Sequence, residues 1–226
     1  MGIIVALTVI GLWAAHLIRS LTQITPSTAP VVSIAHVVIQ AYLYTGLFIT
    51  AHDSMHGSVT KNRGVNDAIG QIALWLFAAF RYRRMFTKHM AHHRGPGTDT
   101  DPDFCVTSQN PIRWFFHFFF GYVTVLQLIT MALLFNIGLY VLQIPVANLL
   151  LFWVLPAFLA TFQLFYFGTY QPHKLPHTEA MAPHRARTQQ RNHLWAMASC
   201  WFFGYHWEHH EHPRTPWWRL YLTKGS

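Results

Sequence analysis

Histidine is distributed through this chain in a pattern that carries chemistry. Residues 89–93 read His-Met-Ala-His-His and residues 206–210 read His-Trp-Glu-His-His, so the spacing HxxHH occurs twice. A further pair, His52 and His56, is four residues apart. On a helix, positions i, i+3 and i+4 fall within about 100° of arc and a single turn, so each group presents its imidazoles to one side. Each triplet is therefore expected to converge on one point. Neutral imidazole is a ligand for iron, zinc and copper, whereas calcium and magnesium take oxygen. One HxxHH is compatible with a solvated basic helix face. Two of them with an HxxxH make a metal site, with His52, His56, His89, His92, His93, His206, His209 and His210 as its ligands. Asp53 and Glu208 adjoin ligands and could accept their remaining ring N–H groups, or stand as solvated carboxylates.

The elements that must carry these groups are apolar. Of 226 residues, 52% are hydrophobic, 16% aromatic and only 11% charged, where a soluble domain has about a quarter charged. The length suits one domain, 1–226. The net charge is +8 with histidine neutral. Lys61, Arg63, the group Arg81, Arg83, Arg84, Lys88 and Arg94, and then Arg185, Arg187 and Arg191 flank apolar runs. The positive-inside rule explains that placement better than a nucleic-acid partner, and none is expected. Cys105 and Cys200 make no CxxC pattern, which leaves a disulfide framework or zinc ribbon without support.

Four apolar runs, about 2–18, 31–51, 114–137 and 147–167, are long enough to span a bilayer. No basic stretch precedes the first and no cleavage site follows it, so it is read as part of the mature chain. Residues 68–80 are too short to cross an about 30 Å hydrocarbon core. They must form an interfacial or re-entrant helix, because the histidines on either side have to meet. The expected fold is all-α and polytopic, with about four transmembrane helices and every histidine box on one, cytoplasmic, face. Residues 95–103, with Asp99, Asp101 and Asp103, read as a solvated turn. His16, His36 and His117 have no second histidine at ligand spacing and read as interface residues. His177 and His212 read as loop residues.

Four stretches carry a resemblance. They are His52-Asp53-Ser54-Met55-His56-Gly57, residues 166–174 (Tyr-Phe-Gly-Thr-Tyr-Gln-Pro-His-Lys), the 206–210 box, and Pro216-Trp217-Trp218-Arg219-Leu220. Over about residues 40–220 the chain resembles the integral-membrane fatty-acid desaturase and hydroxylase superfamily, and within it the bacterial β-carotene ketolases. Trp207 stands where a polar residue is expected. The resemblance implies two iron ions, dioxygen as co-substrate, and oxidation of a carotenoid β-ionone ring at carbon 4. Two successive hydroxylations and loss of water give the ketone, taking β-carotene to echinenone and canthaxanthin, or zeaxanthin to astaxanthin. It implies a multi-pass protein of the bacterial inner membrane that takes its substrate from the lipid. Electrons come from an external reductant such as ferredoxin, since the sequence has no GxGxxG fingerprint and no cytochrome module. It also implies a ninth ligand, for which His173 is the choice, with His184 and His193 as alternatives. A carotenoid ring hydroxylase or an acyl-lipid desaturase or hydroxylase would use the same metal core. A metal transporter or bis-histidine haem protein would instead need ligands at mid-depth on facing spans.

Overall fold

The computed structural model describes residues 1–28 and 30–225, and the regular structure among them is entirely helical. The central element is α2 (Pro30–Met55), whose 26 residues measure about 39 Å at 1.5 Å per residue. Its first third is exposed on most sides, while from Tyr44 to Met55 every residue but Phe48 is buried. Burial all round marks a helix enclosed by others. The hairpin partner α1 (Gly2–Gln23) turns a stripe of Ala6, Val9, Trp13 and Leu17 inward and leaves Ile4, Leu7, Leu12 and Ile18 exposed. Exposed apolar surface on this scale, continued by Val31, Phe120, Val125 and Leu133, fits a lipid surround.

Between apolar helices in lipid, polar contacts and close packing replace the hydrophobic effect as glue. Asn148 donates to the carbonyls of Leu21 and Ile24 at 3.0 and 2.8 Å, which occupies acceptors that the end of α1 leaves open. His16 and His36 hydrogen-bond to each other at 3.0 Å across α1 and α2, and His117 is exposed.

The short helix α3 (Arg63–Ala78) starts on an Asn62 cap and stops at Ala79, whose φ of 55° is left-handed. Its 16 residues span about 24 Å, below the thickness of a hydrocarbon core. It starts before the expected 68–80, packs back along α2, and hands the chain to α4 (Tyr82–Arg94). The run 114–137, expected as one span, is instead two helices. These are α5 (Pro111–Tyr122) and α6 (Val125–Asn136, continuing to Val141), bent by 86°. Thr124 and Gln127 form a capping box that starts a new helix inside the apolar run, and Gln127 Nε2 donates to Ala78 O at 2.7 Å, pinning the break to the end of α3.

The long helix α7 (Val146–His173) contains two π turns, the second at Tyr166–Tyr170 just ahead of His173. Two short helices, α8 (His193–Cys200) and α9 (His206–Glu211), and a 3-10 segment Trp217–Thr223 follow. Among the described residues, three helices are long and apolar enough to cross a membrane, or four if the bent pair counts as one span.

Candidate metal centre

The end of α2, α4, the end of α7 and α9 bring nine imidazoles together, sorted into two groups. His52, His56, His89, His93 and His209 form the first, and His92, His173, His206 and His210 the second. Within each group the ligand nitrogens all lie within 4.8 Å of one another. Neither HxxHH triplet converges on a single point, which corrects the expectation. Helix geometry explains the split. Residues i and i+4 project about 40° apart, while i+3 falls about 60° to the other side of i. Thus α4 sends His89 and His93 to the first group and His92 to the second. The facing α9 reciprocates, with His206 and His210 in the second and His209 in the first.

Within each group Nε2 atoms face one another. His93 and His209 are 3.0 Å apart, His52 and His209 3.1 Å, His92 and His210 3.2 Å, and His206 and His210 3.1 Å. Burial holds His56 down at about 4. Burial with the charges of His56 and His92 takes His93 to about 2. Burial and mutual repulsion keep His89, His206, His209 and His210 well below 6.5. The rings are therefore neutral near pH 7 and offer lone pairs. Converging buried lone pairs repel unless a cation sits among them, and an all-nitrogen donor set suits iron, zinc or copper. The residues fit a pair of such ions.

His173 comes into the second group with its Nδ1–H donating to Arg185 O at 3.0 Å and its Nε2 buried without a partner. His184 lies outside both groups. It hydrogen-bonds Glu211 at 2.7 Å and stacks on His210. His193 is exposed and pairs with the Tyr205 hydroxyl at 2.8 Å.

Asp101 is the residue that sequence reasoning missed. Both of its carboxylate oxygens lie 3.0 Å from His92 Nδ1. They also accept the Asp103 and Gly97 N–H groups at 2.9 and 2.8 Å. Such a contact fixes the Nδ1–H tautomer and leaves Nε2 free for a metal. Burial alone would lower His92, yet the hydrogen bonds and charge of Asp101, with Asp103 behind it, carry it above its ordinary value. The solvated-turn reading holds for exposed Asp99 and fails for Asp101 and Asp103, which are buried. The cover comes from α5, where Trp114 Nε1 donates to Asp103 O at 2.7 Å and the Tyr122 hydroxyl donates to Asp103 Oδ1.

Asp53 accepts the Trp217 N–H at 3.1 Å and stands 3.8 Å from His52 Nδ1, so it ties the C-terminal segment to α2. Glu208 is buried with Oε2 unpartnered, as are Nδ1 of His206 and of His210.

An apolar cavity of about 240 Å³ touches both groups. His52 and His89 of the first, and His92 and His206 of the second, line it together with Phe77, Phe118, Phe135, Trp153 and Phe158.

Fold and site together define a helical membrane protein with two adjacent histidine clusters suited to a pair of metal ions. The chain belongs to the fatty acid desaturase family, whose sequence profile matches residues 26–137 and 122–224. It is similar to a β-carotene ketolase of Paracoccus sp. strain N81106, at 40% identity over 99% of this chain and 92% of that protein. A second β-carotene ketolase, of Paracoccus sp. strain PC1, is 43% identical over 82% of this chain and 76% of its own length. A zeaxanthin 4-ketolase of Chlamydomonas reinhardtii is 40% identical over 97% of this chain and 52% of its own. No solved structure matches the chain.

Proposed function

We propose that this chain is a carotenoid 4-ketolase, a membrane di-iron oxygenase that converts the carbon 4 methylene of a β-ionone ring to a ketone. The observation carrying the reading is the apolar cavity lined by histidines of both groups, in a chain 40% identical along nearly its whole length to a β-carotene ketolase. The nine histidines are the ligands, five for one iron and four for the other. Bound iron would supply dioxygen activation, fed with electrons by an external reductant such as ferredoxin.

The protein's own contribution is positional. His92 is held in its binding tautomer by Asp101, and His173 by the Arg185 carbonyl. The aromatic walls exclude water and admit a long hydrocarbon from the bilayer, so that the ring lies beside the histidines that line the cavity. Each hydroxylation takes one dioxygen, two electrons and two protons, places one oxygen atom on carbon 4 and releases the other as water. The second gives a geminal diol, which loses water to the ketone. In this reading the whole chain is one domain in a bacterial inner membrane, and the basic residues around the histidines put that face in the cytoplasm.

Expression in cells that accumulate β-carotene tests the proposal. Echinenone and canthaxanthin, with red-shifted absorption, are the expected products. Hydroxylated rings with no ketone would replace it with the ring-hydroxylase reading, and unchanged pigment with altered acyl chains would replace it with a desaturase or hydroxylase acting on lipids.

A further inference from the structure

The segment 201–203 between α8 and α9 holds two consecutive residues, Trp201 at φ 48° and Phe202 at φ 61°, in left-handed backbone. Residues with a Cβ avoid that region, and it persists only where surrounding packing over-determines it. Two glycine seats supply the packing. Trp201 stacks on Tyr42 with centroids 4.9 Å apart, donates Nε1–H to Tyr42 O at 3.0 Å, and lies so near α2 that a Cβ on Gly46 would come within 2.7 Å of the indole. Phe203 lies on Gly168 of α7, where any Cβ would overlap the phenyl ring.

The ring held this way faces the chemistry. Its centroid is 5.0 Å from that of His52 and 6.2 Å from that of His209 in the first group, and 5.3 Å from that of His206 in the second. Phe203 and Gly168 both line the cavity that His52 and His206 also line. A core-packing role accounts for an aromatic residue here, but not for its contact with both groups and the cavity together. Choosing carbon 4 over its bonded neighbour, about 1.5 Å away, needs a wall fixed more tightly than that distance. A doubly seated, strained turn provides one.

We propose that Phe203, seated on Gly168, is the positioning wall that sets how the cyclic end of the substrate approaches the paired metal site, and hence which ring carbon is oxidised. The identity of the substrate rests on the ketolase reading.

The test uses the full-length protein and the variants Phe203→Leu, Phe203→Ala, Gly168→Ala and Gly168→Ala/Phe203→Ala. Three readouts are taken: iron per chain, the position of oxygenation on β-carotene, and anaerobic β-carotene binding followed by the pigment's induced circular dichroism. Iron content is expected to stay at the parent level in Phe203→Leu and Gly168→Ala. In Phe203→Leu and Phe203→Ala the ratio of carbon 4 products to other oxygenated products should fall at least about 10-fold, the order of effect that one misfitted contact has on selectivity. Gly168→Ala, which drives the phenyl ring into the cavity, should weaken pigment binding about 10-fold, and the double variant should recover most of that loss. Unchanged product ratio and binding at full iron content would overturn the proposal. So would loss of iron in step with activity in Phe203→Leu, or a double variant no better than Gly168→Ala. If the parent binds pigment but makes no 4-oxo product, the ketolase reading fails, and the comparison of Gly168→Ala with the double variant still decides the role of the wall.

Discussion

Replacing Asp101 by asparagine keeps the side chain's shape and removes its charge. In the parent, the two carboxylate oxygens share His92 Nδ1–H and each accepts one backbone N–H, from Asp103 and from Gly97. Asparagine has one acceptor and one donor at these positions. Its oxygen can keep His92 and one backbone partner, but its NH2 then faces the other backbone N–H. The lost charge removes support for the Nδ1–H tautomer of His92, a change worth about 10–100-fold in metal affinity, or about 1.4–2.7 kcal/mol at 1.36 kcal/mol per decade. One buried N–H without an acceptor adds about 1–3 kcal/mol against the 95–103 loop. Of the two histidine groups, His92 belongs to the second, so the loss should be confined to one ion. Titrating iron-loaded protein with a chelator and measuring iron per chain should give a plateau near one iron in Asp101→Asn, at chelator levels where the parent retains about two. Asp99→Asn, at an exposed position of the same loop, should match the parent. Equal retention in Asp101→Asn and parent would refute the reasoning, and loss of both ions at once would assign Asp101 to the stability of the whole centre.

Other outcomes follow from the same geometry. His173→Ala should lose ketone formation and iron from the second group, whereas His184→Ala, at the surface on Glu211, should keep metal and part of its activity; the reverse order would exchange their roles. Metal-free protein should lose thermal stability as pH falls from about 6.5 toward about 4, because His56 takes up its proton near 6.5 when unfolded but only near 4 when folded, so the unfolded chain binds more protons in that window. A melting temperature flat across that range would contradict it. Gln127→Leu removes a buried donor to Ala78 O at the α5–α6 break and should cost about 1 kcal/mol or somewhat more, read as a lower unfolding temperature in detergent. Cysteines placed at the exposed positions Lys61 and Arg83, on either side of α3, should both label from one side of the membrane, and labelling from opposite sides would require α3 to cross it.

Spacing alone made the histidines legible, because imidazoles at i, i+3 and i+4 have few other reasons to recur. The partition into two groups was not legible, since it depends on α4 and α9 facing each other, and only tertiary structure supplies the facing helix. Asp101 reads as a solvated turn residue because its loop is polar and rich in glycine; the cover over that loop comes from a later helix, whose Trp114 and Tyr122 bond to Asp103. The break at residues 123–124 did leave a local signal, the Thr124-x-x-Gln127 capping box, but hydropathy across 114–137 hides it. The short helix α3 was legible from length, because a bilayer sets a hard minimum. Phe203 carried no signal in an aromatic-rich run, for its role depends on an absent side chain at Gly168, more than thirty residues away.

The central claim is the membership of the two metal sites, and an iron anomalous difference map of the metal-loaded protein tests it most directly. Two peaks are expected, one among His52, His56, His89, His93 and His209 and the other among His92, His173, His206 and His210, with iron–nitrogen distances of about 2.0–2.3 Å, a window extended from zinc–imidazole bonds. A single peak, or a peak shared by His89, His92 and His93 as one triplet, would contradict it.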